Sequence, residues 1–335
     1  MSSHFRVRRV DIVVYPGFKS LEAIGPLCVF DYANVHLRKR DLPPAYQVEI
    51  AAPQPGVVQS DTLMSLHASK GLDNRDLPDA AILVGARNIE EAMRHSPAIV
   101  DWAAAVAPRI ARLAALCSGS FFLAEAGLLD GRRATTHWSV SRLLQQRYPR
   151  IDVQADAIYI RQGNIWTSAG VTAGIDLALA MVEEDCGRDL ALEVARDMVV
   201  YLKRPGGQSQ FSMHLNSQTT SHPGIRKTQD WILSNLHQPL AVSDLAAHAA
   251  MSLRNFTRVF VRETGATPQA FVETARVDLV RRLLEDAALP LKTVAARAGF
   301  GSDAQLRKVF QRHLGVTPRA YRERFASAGG SGGEG

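Results

Sequence analysis

The chain has 335 residues, of which 46% are hydrophobic and 21% are charged, and its formal net charge is +6. This length provides enough apolar material for two domains, each with its own core. No run of about 18 apolar residues is present, and the N-terminus lacks the apolar segment of a signal peptide, so we expect a cytoplasmic protein that does not enter a membrane. The three cysteines form no CxxC pair, so neither a disulfide framework nor a zinc site is indicated, and we expect no metal or cofactor.

The first part of the chain, to about residue 205, alternates between strand and helix patterns. Apolar, β-branched runs bounded by Gly, Pro or charged residues predict strands at Val10–Tyr15, Val48–Ala52, Ala80–Gly85 and Leu113–Cys117. A hairpin is predicted over residues 157–168, followed by helices over residues 173–184 and 189–203. This order predicts an α/β fold, a doubly wound parallel sheet covered by helices.

A cysteine at the end of the fourth predicted strand is suited to chemistry. The strand leads into Cys117, Ser118 and Gly119 and then into a helical pattern, which is the outline of a nucleophile elbow. A helix N-terminus at this point favours a thiolate or a bound anion. Glu22 follows the first strand and so lies at the same edge of a parallel sheet, and His137 comes soon after the elbow. The pattern predicts a site at the carboxyl edge of the sheet.

Several residues near this site have plainer interpretations. Glu22 either lines the pocket or is a solvated residue at a helix start, where the helix dipole favours a carboxylate. Trp138 and Trp166 are expected in the core, although Trp138 could also form a wall of the pocket. Cys28 and Cys186 are predicted to be packed or surface thiols.

A polar segment rich in Gly, Gln, Ser, Thr and His covers residues 206–222. It predicts a linker between a first domain of residues 1–205 and a second domain of residues 223–325. The C-terminal residues 326–335 are nearly all Gly, Ser and Ala and cannot build a core, so we expect a disordered tail.

The second domain contains an internal repeat. Residues 252–260 and 302–310 have matching serines, apolar positions and basic positions at an offset of fifty. The match extends to further pairs on both sides: Leu245 with Val294, Gly265 with Gly315, Pro268 with Pro318, and Phe271 with Tyr321. The region therefore consists of two copies of one structural unit.

Each copy predicts two short helices around a tight turn. In the first copy, a helix that begins at Ser243, the predicted N-cap, is followed by a helix from Ser252 that stops at Gly265. Small alanines let the two helices cross closely, as in a helix-turn-helix. A further helix from Pro268, ending before Pro290, should separate the copies by about 28 Å, close to one DNA turn. One chain can then offer two recognition helices to successive major grooves.

The basic charge is concentrated in this repeat. Residues 223–325 contain 16 Lys and Arg against 9 Asp and Glu, a net charge of +7, so the remainder of the +6 chain carries about −1. Such a concentration suits a phosphate-binding surface. The alternative is a helical interaction bundle whose basic residues only make it soluble.

The repeat region resembles the DNA-binding domain of AraC-type transcription regulators. Ala298–Ser302 and Phe310–Arg322 are similar to the signature of that family. The resemblance implies that double-stranded DNA is the partner and that the second helix of each copy contacts it. The implied contact residues are Ser252, Arg254, Thr257, Arg258, Ser302, Ala304, Gln305, Arg307 and Lys308. Ala304 stands where the family often has a longer polar side chain, and it offers only a methyl group to a base.

The first domain resembles the class I glutamine amidotransferase-like superfamily, which includes PfpI-type proteases. Cys117, His137 and Glu22 stand where that superfamily has its nucleophilic cysteine, a histidine and a carboxylate. Three segments are more specifically similar to GlxA-type AraC regulators: Leu123–Gly131, Ser168–Leu177 and Arg204–Phe211. The implied fold is a flavodoxin-like, amidotransferase-like α/β domain followed by an all-α double helix-turn-helix domain.

Together the resemblances imply a metabolite-controlled transcription regulator, an activator by default, that acts as a homodimer and with RNA polymerase. Its small-molecule effector would bind against Glu22, Cys117, Ser118, Gly119, His137 and Trp138. The effector class implied by resemblance is small nitrogen-containing metabolites.

Other functions stay open at this point. Cys117, His137 and Glu22 are the candidate catalytic residues of a Cys-dependent amidase or hydratase fused to a DNA-binding domain. No Asp or Glu directly follows His137 to orient it, which weakens that hypothesis. Cys117 could also be a redox sensor, or the first domain could only dimerise.

Overall fold

The computed structural model describes residues 6–202, 208, 220, 222–284, 289–314 and 316–325. The chain divides into two compact units, Met1–Arg204 and Pro205–Gly335. Nearly all of the predicted linker and the whole predicted tail lie outside the described residues. The described parts of the two units have separate hydrophobic cores.

The first unit is built on strands β1 (Arg8–Val13), β2 (Tyr46–Ala52), β3 (Gly56–Gln59), β4 (Ser65–Ala68), β5 (Lys70–Gly71), β6 (Ala80–Leu83), β7 (Arg112–Leu116), β8 (Arg133–Ala134), β9 (Asp152–Val153), β10 (Tyr159–Gln162) and β11 (Ile165–Ser168). Seven of them form one sheet in the order β10-β11-β7-β6-β1-β2-β5. Its neighbouring strands are parallel except in the predicted hairpin, where β10 and β11 are antiparallel. The central strand β6 is buried at every position, as a parallel strand covered on both faces requires.

The helices of the first unit are α1 (Ser20–Arg38), α2 (Ile89–His95), α3 (Ala98–Val106), α4 (Ser120–Glu125), α5 (Trp138–Arg147), α6 (Ala173–Cys186) and α7 (Arg188–Asp197). The chain winds from β1 to β2 in one direction, and from β6 to β7 and β11 in the other. Right-handed crossovers therefore place α1 and α3 on opposite faces of the sheet. Helices α6 and α7 pack with α1, and α4 packs with α3. The predicted doubly wound α/β fold is confirmed.

The described helices of the second unit are α8 (Pro223–Ser234), α9 (Val242–His248), α10 (Leu253–Thr264), α11 (Pro268–Leu284), α12 (Leu291–Arg297), α13 (Asp303–Leu314) and α14 (Pro318–Phe325). Each repeat has its own aromatic core, with Phe260 against Phe271 in the first and Phe310 against Tyr321 in the second. Helix α11 contributes one end to each core. The predicted pair of helix-turn-helix units is present. In the described part of the chain, no helix is both long and apolar enough to cross a membrane.

Three local predictions were wrong. Ser243 is not an N-cap, because Ala241 takes the extended cap conformation and α9 begins one residue before Ser243. The second helix after the hairpin ends at Asp197, since Val199 adopts a left-handed φ of 54° and turns the chain away. Trp138 is not a core residue but is 54% exposed, because it begins a helix that lies on the surface.

Candidate functional site

The strand, cysteine and helix of the predicted elbow occur at the end of β7. Cys117 directly follows the strand, is fully buried and has a left-handed φ of 53°. A short 3-10 turn, Cys117–Gly119, leads from it into α4. A non-glycine residue in this conformation costs about 1–3 kcal/mol, so its surroundings must hold it there.

Backbone hydrogen bonds hold the elbow in place. The hydroxyls of Thr136 and Ser120 both donate to the carbonyl oxygen of Cys117, at 2.8 and 3.1 Å. The N–H of Cys117 donates to the carbonyl oxygen of Ala169 at 3.1 Å. Both polar backbone groups of Cys117 are therefore paired with neighbouring loops.

Two glycines allow the elbow to approach the loop after β6. A Cβ atom on Gly119 would lie 2.8 Å from the carbonyl oxygen of Leu83, and one on Gly85 would lie 2.7 Å from Oγ of Ser118. That hydroxyl accepts from the N–H of Ala86 at 3.0 Å and donates to its carbonyl oxygen at 2.9 Å. Ser118 and Gly119 thus join the elbow to the end of β6.

Glu22 is fully buried beside the cysteine, so its interpretation as a solvated residue was wrong. Its Oε2 accepts a hydrogen bond from the N–H of Gly85 at 2.6 Å. Its Oε1 has no hydrogen-bond partner in the described part of the structure and lies 3.6 Å from Nζ of Lys19. Lys19 also donates from Nζ to Sγ of Cys117 at 3.1 Å. The structure therefore brings Glu22 and Cys117 together and adds Lys19 to them.

These three ionisable groups shift each other's pKa. Burial raises the pKa of the Cys117 thiol to about 12, with a further increase from Glu22 and an opposing effect of Lys19. Burial also raises the pKa of Glu22, against the attraction of Lys19. Burial lowers the pKa of Lys19, but the charges of Cys117 and Glu22 outweigh burial and the net pKa is raised. Lys19 therefore compensates one buried negative charge, and Cys117 is a thiol at neutral pH.

His137 is oriented by a serine. It caps α5, and its Nδ1 shares a hydrogen bond of 2.7 Å with Oγ of Ser139. Its ring lies against Gly170, where a Cβ atom would come within 2.2 Å of the ring. Burial and the positive charge of Lys19 lower the pKa of His137, so the ring is neutral at pH 7. The ring centroid of the exposed Trp138 lies 5.4 Å from the ring centroid of His137.

Lys19 was missed by the sequence analysis, although a signal was present. It lies three residues before Glu22, and this spacing puts two residues on the same side of a helix start. Its contact with Cys117 could not be read from the sequence, because it depends on where the elbow packs. Within the described ranges, no three His, Cys, Asp or Glu side chains come together as a metal site.

The second helix of each repeat exposes polar and basic side chains. The exposed predicted contacts are Ser252, Arg254, Arg258, Ser302, Ala304, Gln305, Arg307 and Lys308, whereas Thr257 is half-buried. The hydroxyls of Ser252 and Ser302 cap their helices by accepting from backbone N–H groups. Gln305 is bound through its side-chain oxygen to the N–H of Gly301 at 2.9 Å. Leu253, which the sequence analysis did not include, is 53% exposed beside Arg254.

An α/β domain with a buried polar cluster at its carboxyl edge, joined to two helix-turn-helix units, defines a class of DNA-binding regulators. Residues 8–184 match the DJ-1/PfpI family, and residues 245–324 match a helix-turn-helix domain. The chain belongs to the DJ-1/PfpI family through its first domain.

Proteins similar to this chain are named as transcriptional regulators. The HTH-type transcriptional regulator CdhR of Pseudomonas aeruginosa is 28% identical over 319 residues, covering 94% of this chain and 88% of CdhR. The HTH-type transcriptional regulator GlxA of Rhizobium meliloti is 29% identical over 219 residues, covering 64% of this chain and 66% of GlxA. The predicted GlxA-type regulator is therefore confirmed, and the chain is a transcriptional regulator.

The chain is also similar to proteins that are not named as transcriptional regulators. An isonitrile hydratase of Pseudomonas putida is 29% identical over 187 residues, covering 55% of this chain and 74% of the hydratase. The crystal structure of a THiJ/PfpI family protein from Pseudomonas syringae has a TM-score of 0.50 at 27% identity, covering 60% of this chain and 78% of that one. The fold is therefore shared with at least one enzyme.

We expect Gly119→Ala to lower the free energy of unfolding by about 1–3 kcal/mol, because the added methyl group meets backbone carbonyls that cannot rotate away. Gly71→Ala is the control, since a Cβ atom there has its nearest neighbour at 3.5 Å. It should change stability by less than about 0.5 kcal/mol. Urea unfolding followed by tryptophan fluorescence measures both, and equal losses would contradict the close approach.

We expect iodoacetamide to label Cys117 slowly near pH 7 and faster up to about pH 10, because only the thiolate reacts. Lys19→Met should slow the labelling further, since loss of the ammonium raises the thiol pKa. Lys39→Met, at an exposed lysine just after α1, is the control. Peptide mass spectrometry gives the rates, and a plateau below about pH 8 would show that the thiol pKa is not raised.

Proposed function

We propose that the first domain is a sensor whose effector binds at the carboxyl edge of the sheet. The binding residues are Lys19, Glu22, Cys117, Ser118, Gly119, His137 and Trp138. Effector binding changes the affinity of the second domain for DNA by favouring one arrangement of the protein over another. Small nitrogen-containing metabolites are the effector class suggested by the resemblance to GlxA-type regulators.

The observation that carries this proposal is the compensation of charge around Cys117. A cysteine that does chemistry needs a thiolate and a base beside it. Here the thiol is fully buried and its pKa is raised to about 12. These features favour binding over turnover.

The same cluster offers polar groups to a ligand. Oε1 of Glu22 is buried 3.6 Å from Nζ of Lys19, and a carboxylate oxygen in this position has lone pairs with which to accept a hydrogen bond from an N–H group of a ligand. Trp138 supplies an exposed aromatic surface nearby in the chain, next to His137. A few converging polar groups beside an aromatic wall are typical of small-molecule sites.

For the second domain, we propose that α10 and α13 enter successive major grooves of paired promoter sites. The protein acts in the cytoplasm as a homodimer, and it activates transcription by contact with RNA polymerase. The exposed arginines and lysine of both helices support the DNA contact, because they are not buried in either core. Activation and the polymerase contact follow the AraC resemblance.

A second candidate function is Cys117-dependent turnover, as in an amidase or hydratase. The contact of 3.1 Å between Nζ of Lys19 and Sγ of Cys117 favours it, because an ammonium group stabilises a thiolate. The similarity to an isonitrile hydratase points in the same direction. The raised pKa of the thiol argues that this stabilisation is outweighed.

The sensor proposal is tested by a thermal-shift screen of the full-length protein against amino acids, betaines and amides, with mass spectrometry of each compound. We expect a compound that is recovered unchanged and raises the melting temperature, with about 2.7 kcal/mol of stabilisation at 100 times its Kd. Glu22→Gln should weaken this shift, since it removes the buried negative charge beside Cys117, whereas Glu90→Gln on the exposed surface of α2 should not. Consumption of a compound that stops in Cys117→Ala would favour the enzyme.

The DNA contact is tested with duplexes selected from a random library by the full-length protein. Arg258→Ala should cost about 1–3 kcal/mol on the selected duplex and much less on random DNA, if the guanidinium contacts a base. Arg262→Ala is the control, because that arginine is bound to Glu263. Equal losses on both duplexes would make Arg258 a phosphate contact.

A further inference from the structure

The two helix-turn-helix units use the same turn but different residues in it. Ala250 in the first unit and Gly299 in the second have φ values of 53° and 75°. The N–H of Ala250 donates to the carbonyl oxygen of Ala247 at 2.9 Å, and that of Gly299 donates to Ala296 at 3.1 Å. Since an alanine adopts this turn in the first unit, backbone conformation alone does not require glycine in the second.

The neighbours of Gly299 explain the difference. A Cβ atom at this position would lie 2.0 Å from the carbonyl oxygen of Leu236 and 2.9 Å from Nη2 of Arg276. Leu236 follows α8 and belongs to the core of the first helix-turn-helix unit. Ala250, in contrast, is exposed. The glycine is therefore required because the turn of the second helix-turn-helix unit touches the backbone of the first helix-turn-helix unit.

Arg276 fastens this contact from the connecting helix. Its Nε donates to the carbonyl oxygen of Leu236 at 3.1 Å, and its Nη2 donates to that of Gln238 at 2.6 Å. Three segments meet here: the loop after α8, the middle of α11, and the turn between α12 and α13. We call this meeting point, formed by Leu236, Gln238, Arg276 and Gly299, the junction.

The second recognition helix is also bound to α11 away from the junction. Arg312 and His313, near the end of α13, both contact the carboxylate of Glu273. The carboxylate lies one helical turn before Arg276 on α11. Helix α13 is therefore fixed at its C-terminal end by Glu273, and the turn before it is fixed by the junction.

We propose that the junction sets the separation and angle between α10 and α13, so that Gly299 and Arg276 are positioning residues for the recognition of paired DNA boxes. Two linked binding modules gain affinity from each other only when both can engage at once. A change at the junction would move α13 relative to α10 without altering either set of DNA contacts. The pair would then no longer fit boxes at the original separation.

The test uses the full-length protein and a library of duplexes with a random central segment. The unsubstituted protein, the parent, should enrich duplexes that contain two half-sites, or boxes, at one fixed separation. Gly299→Ala should enrich other separations and lose at least about tenfold affinity for the parent's duplex, as expected when simultaneous engagement is lost. Its affinity for a duplex with the second box scrambled should stay within about twofold of the parent's.

Two further variants keep the test decisive. Ala250→Gly changes the matching position of the first helix-turn-helix unit. This position is outside the junction, so the variant should select the same distance between the two DNA half-sites as the parent. Arg276→Met removes the two hydrogen bonds without adding an atom to the turn. It should therefore enrich duplexes with a wider range of distances between the two half-sites, even if Gly299→Ala does not fold. Circular dichroism checks the folding of each variant. Retention of one separation by folded Arg276→Met and Gly299→Ala would overturn the proposal.

Discussion

The geometry of the first domain depends on the close approach of the elbow to the end of β6. Gly119 and Gly85 leave no room for a side chain between the two loops, and Ser118 joins them by hydrogen bonds in both directions. Because β1, β6 and β7 are neighbouring parallel strands, their carboxyl ends meet at this point. The strained backbone of Cys117 and the buried carboxylate of Glu22 are held by this packing.

Charge compensation decides what the site can do. A carboxyl group and a thiol buried side by side cannot both be ionised without a large cost. Lys19 places a positive charge within contact distance of both groups, which compensates the carboxylate of Glu22, while the raised pKa of Cys117 keeps the thiol protonated. This arrangement is consistent with a domain that has an enzyme-like fold and serves a transcriptional regulator, since fold alone does not fix function.

The second domain illustrates how a repeat becomes asymmetric. The two units have corresponding helices, a serine that caps each recognition helix and the same left-handed turn, and each buries its own aromatic pair. In the described residues, the turn of the second unit lies against the backbone of Leu236 and its left-handed residue is a glycine, whereas that of the first unit is an exposed alanine. The repeat provides two recognition helices, whereas the contacts between the two units determine whether both helices can bind DNA at once.

The sequence alone was sufficient for the α/β fold, the repeat and the family, because periodicity, internal repetition and short motifs are local signals. It also placed Glu22 and Cys117 at one edge of the sheet, since the topology of parallel strands brings their carboxyl ends together. The ammonium of Lys19 beside Cys117, the orientation of His137 by Ser139, the exposure of Trp138 and the contact between Gly299 and Leu236 were decided only by the tertiary structure. Each depends on the distance between side chains or loops, and a linear pattern carries no information about such distances until the elements have packed.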